Sequence, residues 1–172
     1  MMQSPHDIDW FAKIGDIYVH AMSFGGFIPR KVDILGGNVI LLYEAYRLEE
    51  SQDDAVVMDD YVEKRLHNQY ELQGVATEEE QTGIRERYLR HFQEMARRGL
   101  YSFDRDVNDL MKYHLICKPS KPLVEWQDEI IPVISTSSLV ETENTMMLVF
   151  GRHKVAERYY SAGDKIEDND SC

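Results

Sequence analysis

The sequence predicts an α+β fold: about five helices across the N-terminal two-thirds, packed with a small antiparallel sheet from the C-terminal third. Three observations carry this. Apolar residues recur at helical spacing in the first hundred positions. After Pro122 the chain turns richer in Val, Ile, Thr and Ser, the residues of strands and turns. Strands and helices do not alternate, so a parallel α/β sheet is not expected.

The first expected helix runs from Ile8 to Ser23. On a helical wheel Trp10, Phe11, Ile14, Ile17, Tyr18, Ala21 and Met22 share one face. Asp9, Lys13, Asp16, His20 and Ser23 share the other, read as a solvated face. Asp7 can cap its start, Gly25 its end, and Pro29 stops it. Val39 to Leu48 is apolar almost all round as a helix and on both faces as a strand, and reads as a central, buried element. Periodicity does not choose between helix and strand there; Glu44, Ala45 and Leu48 lean it to helix. A third helix is expected over Asp53 to Leu72, with Met58, Tyr61, Val62, Leu66 and Leu72 on one side.

The fourth helix has the strongest signal. Thr77-Glu-Glu-Glu80 is a capping box, in which the Thr hydroxyl and the Glu carboxylate each satisfy an orphan N–H. Ile84, Tyr88, Leu89, Phe92, Met95 and Ala96 form its stripe, and Gly99 closes it. A short fifth helix, capped by Asp104 or Asp106 and ending at Cys117, would carry Val107, Leu110, Met111, His114 and Cys117 on one side. Ile130–Thr136 and Met146–Phe150 read as strands, with a hairpin partner from Lys154 to Tyr160. One domain over 1–164 is expected, followed by an acidic, disordered tail over 165–172.

Charge is the main compositional feature. Nineteen basic against thirty-one acidic residues give −12. That excludes a phosphate-neutralising nucleic-acid binder and an anionic-membrane binder as the role of the whole chain. No apolar run reaches the roughly 18 residues of a membrane span. The first thirty residues carry no secretory signal, and Cys117 and Cys172 form no local pair, so a reducing cytoplasmic setting is expected. A net-basic block, 81–122, lies between net-acidic ones. Either these blocks neutralise each other within the fold, or the basic one meets an acidic partner or a phosphate.

Four places could hold chemistry. Ser23 to Lys31 contains Gly25, Gly26, Arg30 and Lys31, the makings of an anion-binding loop, but neither GxxxxGK[ST] nor GxGxxG is present. Asp104, Asp106 and Asn108 alternate as in a calcium loop, yet the required Gly and Glu are replaced by Asp109 and Leu115. Those two carboxylates, with His91 as a further ligand, leave room for a single divalent ion; no other cofactor is expected. His114 and Cys117 sit at i and i+3, where a base could activate a thiol; His114, Cys117 and Asp104 are thus the catalytic candidates. Ser135 to Ser138 lacks a nucleophile motif and reads as a strand end and turn. His6, His20 and His153 have no spacing partner.

These readings favour a non-catalytic interaction or inhibitor-type module. Its acidic stretch Glu49 to Glu80 would face a basic protein partner, with no nucleic acid and no membrane involved. Assembly as a homodimer through Val39 to Leu48 would be the sign of a structural role. The alternative is a small hydrolase or transferase acting on an anionic, phosphorylated substrate. It requires Arg30, Lys31, Asp104, Asp106 and His114 to converge.

Overall fold

The structure, a computed structural model, describes residues 8–23, 28–29, 31–32, 37–126, 130–142, 145–150 and 155–156. The chain begins with strands β1 (Asp9–Ile14), β2 (Ile17–Met22) and β3 (Ile28–Pro29). Helix α1 (Gly37–Arg47), the short strand β4 (Val56–Val57) and helices α2 (Asp59–Gln73) and α3 (Glu78–Arg97) follow. Then come β5 (Tyr101–Arg105), β6 (Lys112–Lys118), β7 (Val133–Ile134), β8 (Leu139–Glu141), β9 (Met146–Val149) and β10 (Val155–Ala156). Eight strands form one mixed sheet in the order β7-β1-β2-β5-β6-β9-β8, with β4 also pairing with β6. The β1–β7 and β2–β5 pairs are parallel.

The sheet curls. Ile134 of β7, near one end, shares an apolar cluster with Met146 and Leu148 of β9, near the other. Trp10, Ala12, Val19, Ala21, Phe103, Tyr113 and Leu115 fill the space between them. The ring of Trp10 meets that of Tyr113 edge-on at 5.4 Å. The three helices lie against the outer face, where Val62, Leu66, Leu89, Phe92 and Ile116 form one core and Phe11, Leu41, Met95, Leu100 and Trp126 another.

This architecture overturns the helix-rich expectation. Among the described residues there are three α-helices, not about five, and the sheet is large and mixed. Ile8 to Ser23 is a hairpin. Its strands are buried on both faces, and such a strand is apolar nearly throughout, so a helical wheel still finds an apolar side. Ala12 and Val19, outside that side, are fully buried. The two-residue turn Gly15–Asp16 joins the strands, with Gly15 at φ +58°, as hairpin turns of this length require.

The expected helix ending at Cys117 is instead β5, a turn and β6. Asp106 accepts from the backbone N–H groups of Asn108 and Asp109, closing an Asx turn where a helix cap was expected. Val107 and Leu110 are exposed there. Residues 53–58 are loop and β4, so α2 starts later than expected, and Leu72 is 88% exposed. Val39 to Leu48 is helical over α1, but it is not buried all round: Leu41 and Ala45 face the core, while Val39, Ile40, Tyr43 and Tyr46 face solvent. The partner of β10 is β3, not the strand at 146–150. The rest of the segment over 157–160 and the tail over 165–172 lie outside the described residues.

The α3 expectations hold in detail. Thr77 and Glu80 form the reciprocal capping box. Gly99 follows the helix at φ +89°, and a Cβ there would stand 2.6 Å from the Leu123 backbone nitrogen. Four basic residues of the 81–122 block pair with the acidic segments before it. Arg85 pairs with Glu63, Arg97 with Glu50 and Asp54, Arg98 with Glu50, and Lys121 with Asp53.

Candidate metal centre

Strand alternation places Asp9, His20 and Ser102 on the outer face of the sheet, under α3. β1 and β2 pair with Phe11 opposite His20 and Asp9 opposite Met22, so Asp9 lies diagonally from His20. β2 and β5 pair with His20 beside Ser102. From above, α3 lowers His91 onto the same point. The imidazole Nε2 of His20 donates to Asp9 Oδ1 at 3.2 Å, and that of His91 to Asp9 Oδ2 at 3.1 Å. The two rings stand edge-to-face, centroids 5.0 Å apart. One donor atom from each of the three residues lies within 4.8 Å of the other two.

Each part is braced. Asn38 of α1 accepts from the Phe11 N–H and donates to the Asp9 carbonyl, tying β1 to the helix above it. His20 Nδ1 meets the Ser102 hydroxyl at 2.6 Å. His91 Nδ1 lies 3.4 Å from the Tyr46 hydroxyl and 3.8 Å from Glu94 Oε2. His20 is fully buried, whereas Asp9 and His91 are each partly exposed, so the cluster is closed on the sheet side and open near Tyr46.

The electrostatics follow from this geometry. Burial alone would raise the Asp9 pKa; hydrogen bonds and charge from His20 and His91 outweigh it and hold the carboxyl well below its usual range. Burial would lower the His91 pKa, but Asp9 and Glu94 outweigh it and raise it. The cluster is therefore an ionised carboxylate that accepts one Nε2–H from each of two imidazoles.

The same spacing fits a metal. Two ligand atoms in a tetrahedral zinc shell, each about 2.0–2.1 Å from the ion, stand about 3.3 Å apart. Both histidines turn Nε2 inward and anchor Nδ1 outward, as metal-bound histidines do. Ser102 suits either state: its hydroxyl donates to Nδ1 of a neutral ring protonated at Nε2, or accepts from Nδ1 once Nε2 carries a metal. Two His and one carboxylate from three separate elements, with one side open, is a donor set for a divalent transition metal.

A second polar group continues the seam along the sheet. Asp104 is fully buried, accepts from the Tyr88 hydroxyl at 2.7 Å and pairs with Arg65 Nε at 3.5 Å. Beside it on β6, His114 Nε2 donates to Asp106 Oδ2 at 2.7 Å, and its ring stacks on Tyr61 at 3.8 Å. Burial lowers the His114 pKa despite that carboxylate.

The residues singled out from the sequence are thus distributed as follows. His91 is in the cluster, but Asp9 and His20 join it there, not Asp104 and Asp106. Asp104 is taken up by Tyr88 and Arg65, and Asp106 by the turn and His114. Cys117 is buried among the α2–α3 core, and burial pushes its thiol up to about 12, far from a nucleophile's range. It stands opposite Ser102 on the ladder while His114 stands opposite Asp104, so strand rise separates thiol and base instead of stacking them. Lys31 donates to the Val133 carbonyl at the β7 end, with β1, β2 and β5 between it and His114 on β6. Gly25, Gly26 and Arg30 lie outside the described residues.

Sequence reasoning missed Asp9 and His20 because a wheel placed them on a solvated helix face. The signal that would have found them is the Gly15–Asp16 hairpin turn, which sets His20 diagonal to Asp9. No protein-family model, no curated protein and no solved structure matches the chain.

Proposed function

We propose that the chain is a metal-binding protein, holding one divalent transition ion of the zinc class through Asp9, His20 and His91. The observation that carries this is the convergence of three donors from β1, β2 and α3 within 4.8 Å, with both outer imidazole nitrogens braced. Three protein ligands and an open side near Tyr46 suit an ion that keeps a water, which favours Lewis-acid chemistry over a purely structural role. The test is titration with cobalt(II), followed by its visible absorption. One equivalent should bind to the intact chain, and His91→Ala should weaken binding about 100-fold or more. Equal binding by both chains, or none by either, would overturn the proposal.

A second reading keeps the acidic interaction module. It is favoured by the carboxylates that remain at the surface, Asp60, Glu78, Glu79 and Glu86, around the α2–α3 hairpin. Its partner would be a basic protein. Association with a basic probe such as polylysine should slow steeply as salt rises; a rate independent of salt would remove this reading.

A further inference from the structure

We propose that the groove between α2 and α3 is a binding site for a phosphorylated small molecule, with Arg65 and Arg87 holding the phosphate. The site is separate from the metal cluster and does not depend on it.

The groove is a cavity of about 540 Å³ lined by Arg65, Gln69, Gln73, Ile84, Arg87 and Tyr88. That volume suits a small ligand rather than a bare ion. Arg65, Gln69 and Gln73 follow one another by single helical turns along α2. Arg87 and Tyr88 face them from α3, one turn beyond Ile84. The lining holds two guanidinium groups and two amides and no carboxylate; the Asp104 carboxylate behind Arg65 and Tyr88 balances one of the two positive charges, and Arg87 leaves the groove net positive. In a chain with thirty-one acidic and nineteen basic residues, that is a local reversal of sign. It is the basic cleft in an acidic protein that focuses an anion.

Arg65 is placed rather than loose. Its side chain is only 15% exposed, and its Nε faces the fully buried Asp104 carboxylate, which the Tyr88 hydroxyl also holds. A guanidinium fixed at one edge keeps its planar fork aimed, which is what recognition of a phosphate uses. Arg87 is exposed at the rim and makes no ion pair among the described residues. It is therefore the group that a ligand would order. The amides of Gln69 and Gln73 can donate to a phosphate oxygen or accept from a hydroxyl of the rest of the ligand.

The experiment is a titration with inorganic phosphate, followed by the side-chain amide NMR signals of Gln69 and Gln73, with acetate as comparison. Saturable shifts with phosphate, weakened about fivefold or more in Arg87→Gln, are expected. Arg87 is a surface side chain, so that variant keeps the fold. Arg65→Lys keeps a charge on Asp104 but loses the fork, and should weaken phosphate about tenfold with the melting temperature little changed. No saturable shift, an unchanged response in Arg87→Gln, or equal saturation by acetate would each overturn the assignment.

Discussion

The two faces of the curled sheet are built on opposite principles. The inner face is packed mainly with apolar side chains, among them Trp10, Phe103, Tyr113 and Leu148, with Arg105 opposite Tyr113 on it. The outer face carries Asp9, His20, Ser102, Asp104 and His114 beneath the helices. Burying such groups costs several kcal/mol unless each is paired. Here α2 and α3 bring the partners: His91 and Tyr88 from one, Arg65 and Tyr61 from the other. The apolar cluster of the inner face is changed by altering volume. The outer face can be changed by a proton or an ion, so function is to be sought there.

The comparison is broken most forcefully on the inner face. Phe103→Ala should cost about 3–5 kcal/mol of stability, read by urea unfolding, because it empties a fully buried ring site. The folded fraction should still bind one cobalt ion. Loss of metal binding in that folded fraction would show that the two faces are not independent.

On the outer face, Ser102→Ala removes the brace on His20 Nδ1. Metal affinity should fall about tenfold, with stability lowered by only about 1 kcal/mol. An isotherm unchanged by this substitution would show that the hydroxyl does not orient the ligand.

The smallest effect is the one whose sign is most informative. Without metal, the depressed Asp9 pKa contributes stability present above its unfolded value near 4 and lost as pH falls through the folded one. The raised His91 pKa contributes stability present below about 6.5 and lost as pH rises through its folded value. These two groups together therefore stabilise the metal-free protein most between about pH 4 and 6.5, whereas His114, with its lowered pKa, acts in the opposite sense below about 6.5. Metal must displace the Nε2 proton of each imidazole, so metal-induced stabilisation should grow with pH over the range where the raised His91 pKa ceases to stabilise the metal-free protein. Melting temperatures with and without zinc from pH 5 to 8 check this. Parallel curves would contradict it.

What was legible in the sequence is what is decided locally. Thr77, Glu80 and Gly99 bound α3 because caps and left-handed turns act within a few residues. Pairing between the basic block and the acidic ones was one of two readings that composition allowed, and the structure shows it for Arg85, Arg97, Arg98 and Lys121. What was not legible is decided by pairing across the chain. A strand buried on both faces has the apolar density of a helix, so β1 and β2 read as one. Of the cluster, only His91 stood out, since Asp9 lies 82 residues from it and meets it only once the sheet has formed. Asp106 was read as a helix cap because an Asx turn and an N-cap use the same side chain and the same N–H groups.

Asp9, His20 and His91 are proposed to bind an ion where the two imidazoles now each donate an Nε2–H to the carboxylate. A crystal grown with zinc, with anomalous scattering recorded at the zinc edge, tests it most directly. One strong peak is expected about 2.0–2.1 Å from Nε2 of both histidines and within similar reach of the Asp9 carboxylate. Imidazoles still donating directly to Asp9, with no peak between them, would contradict it.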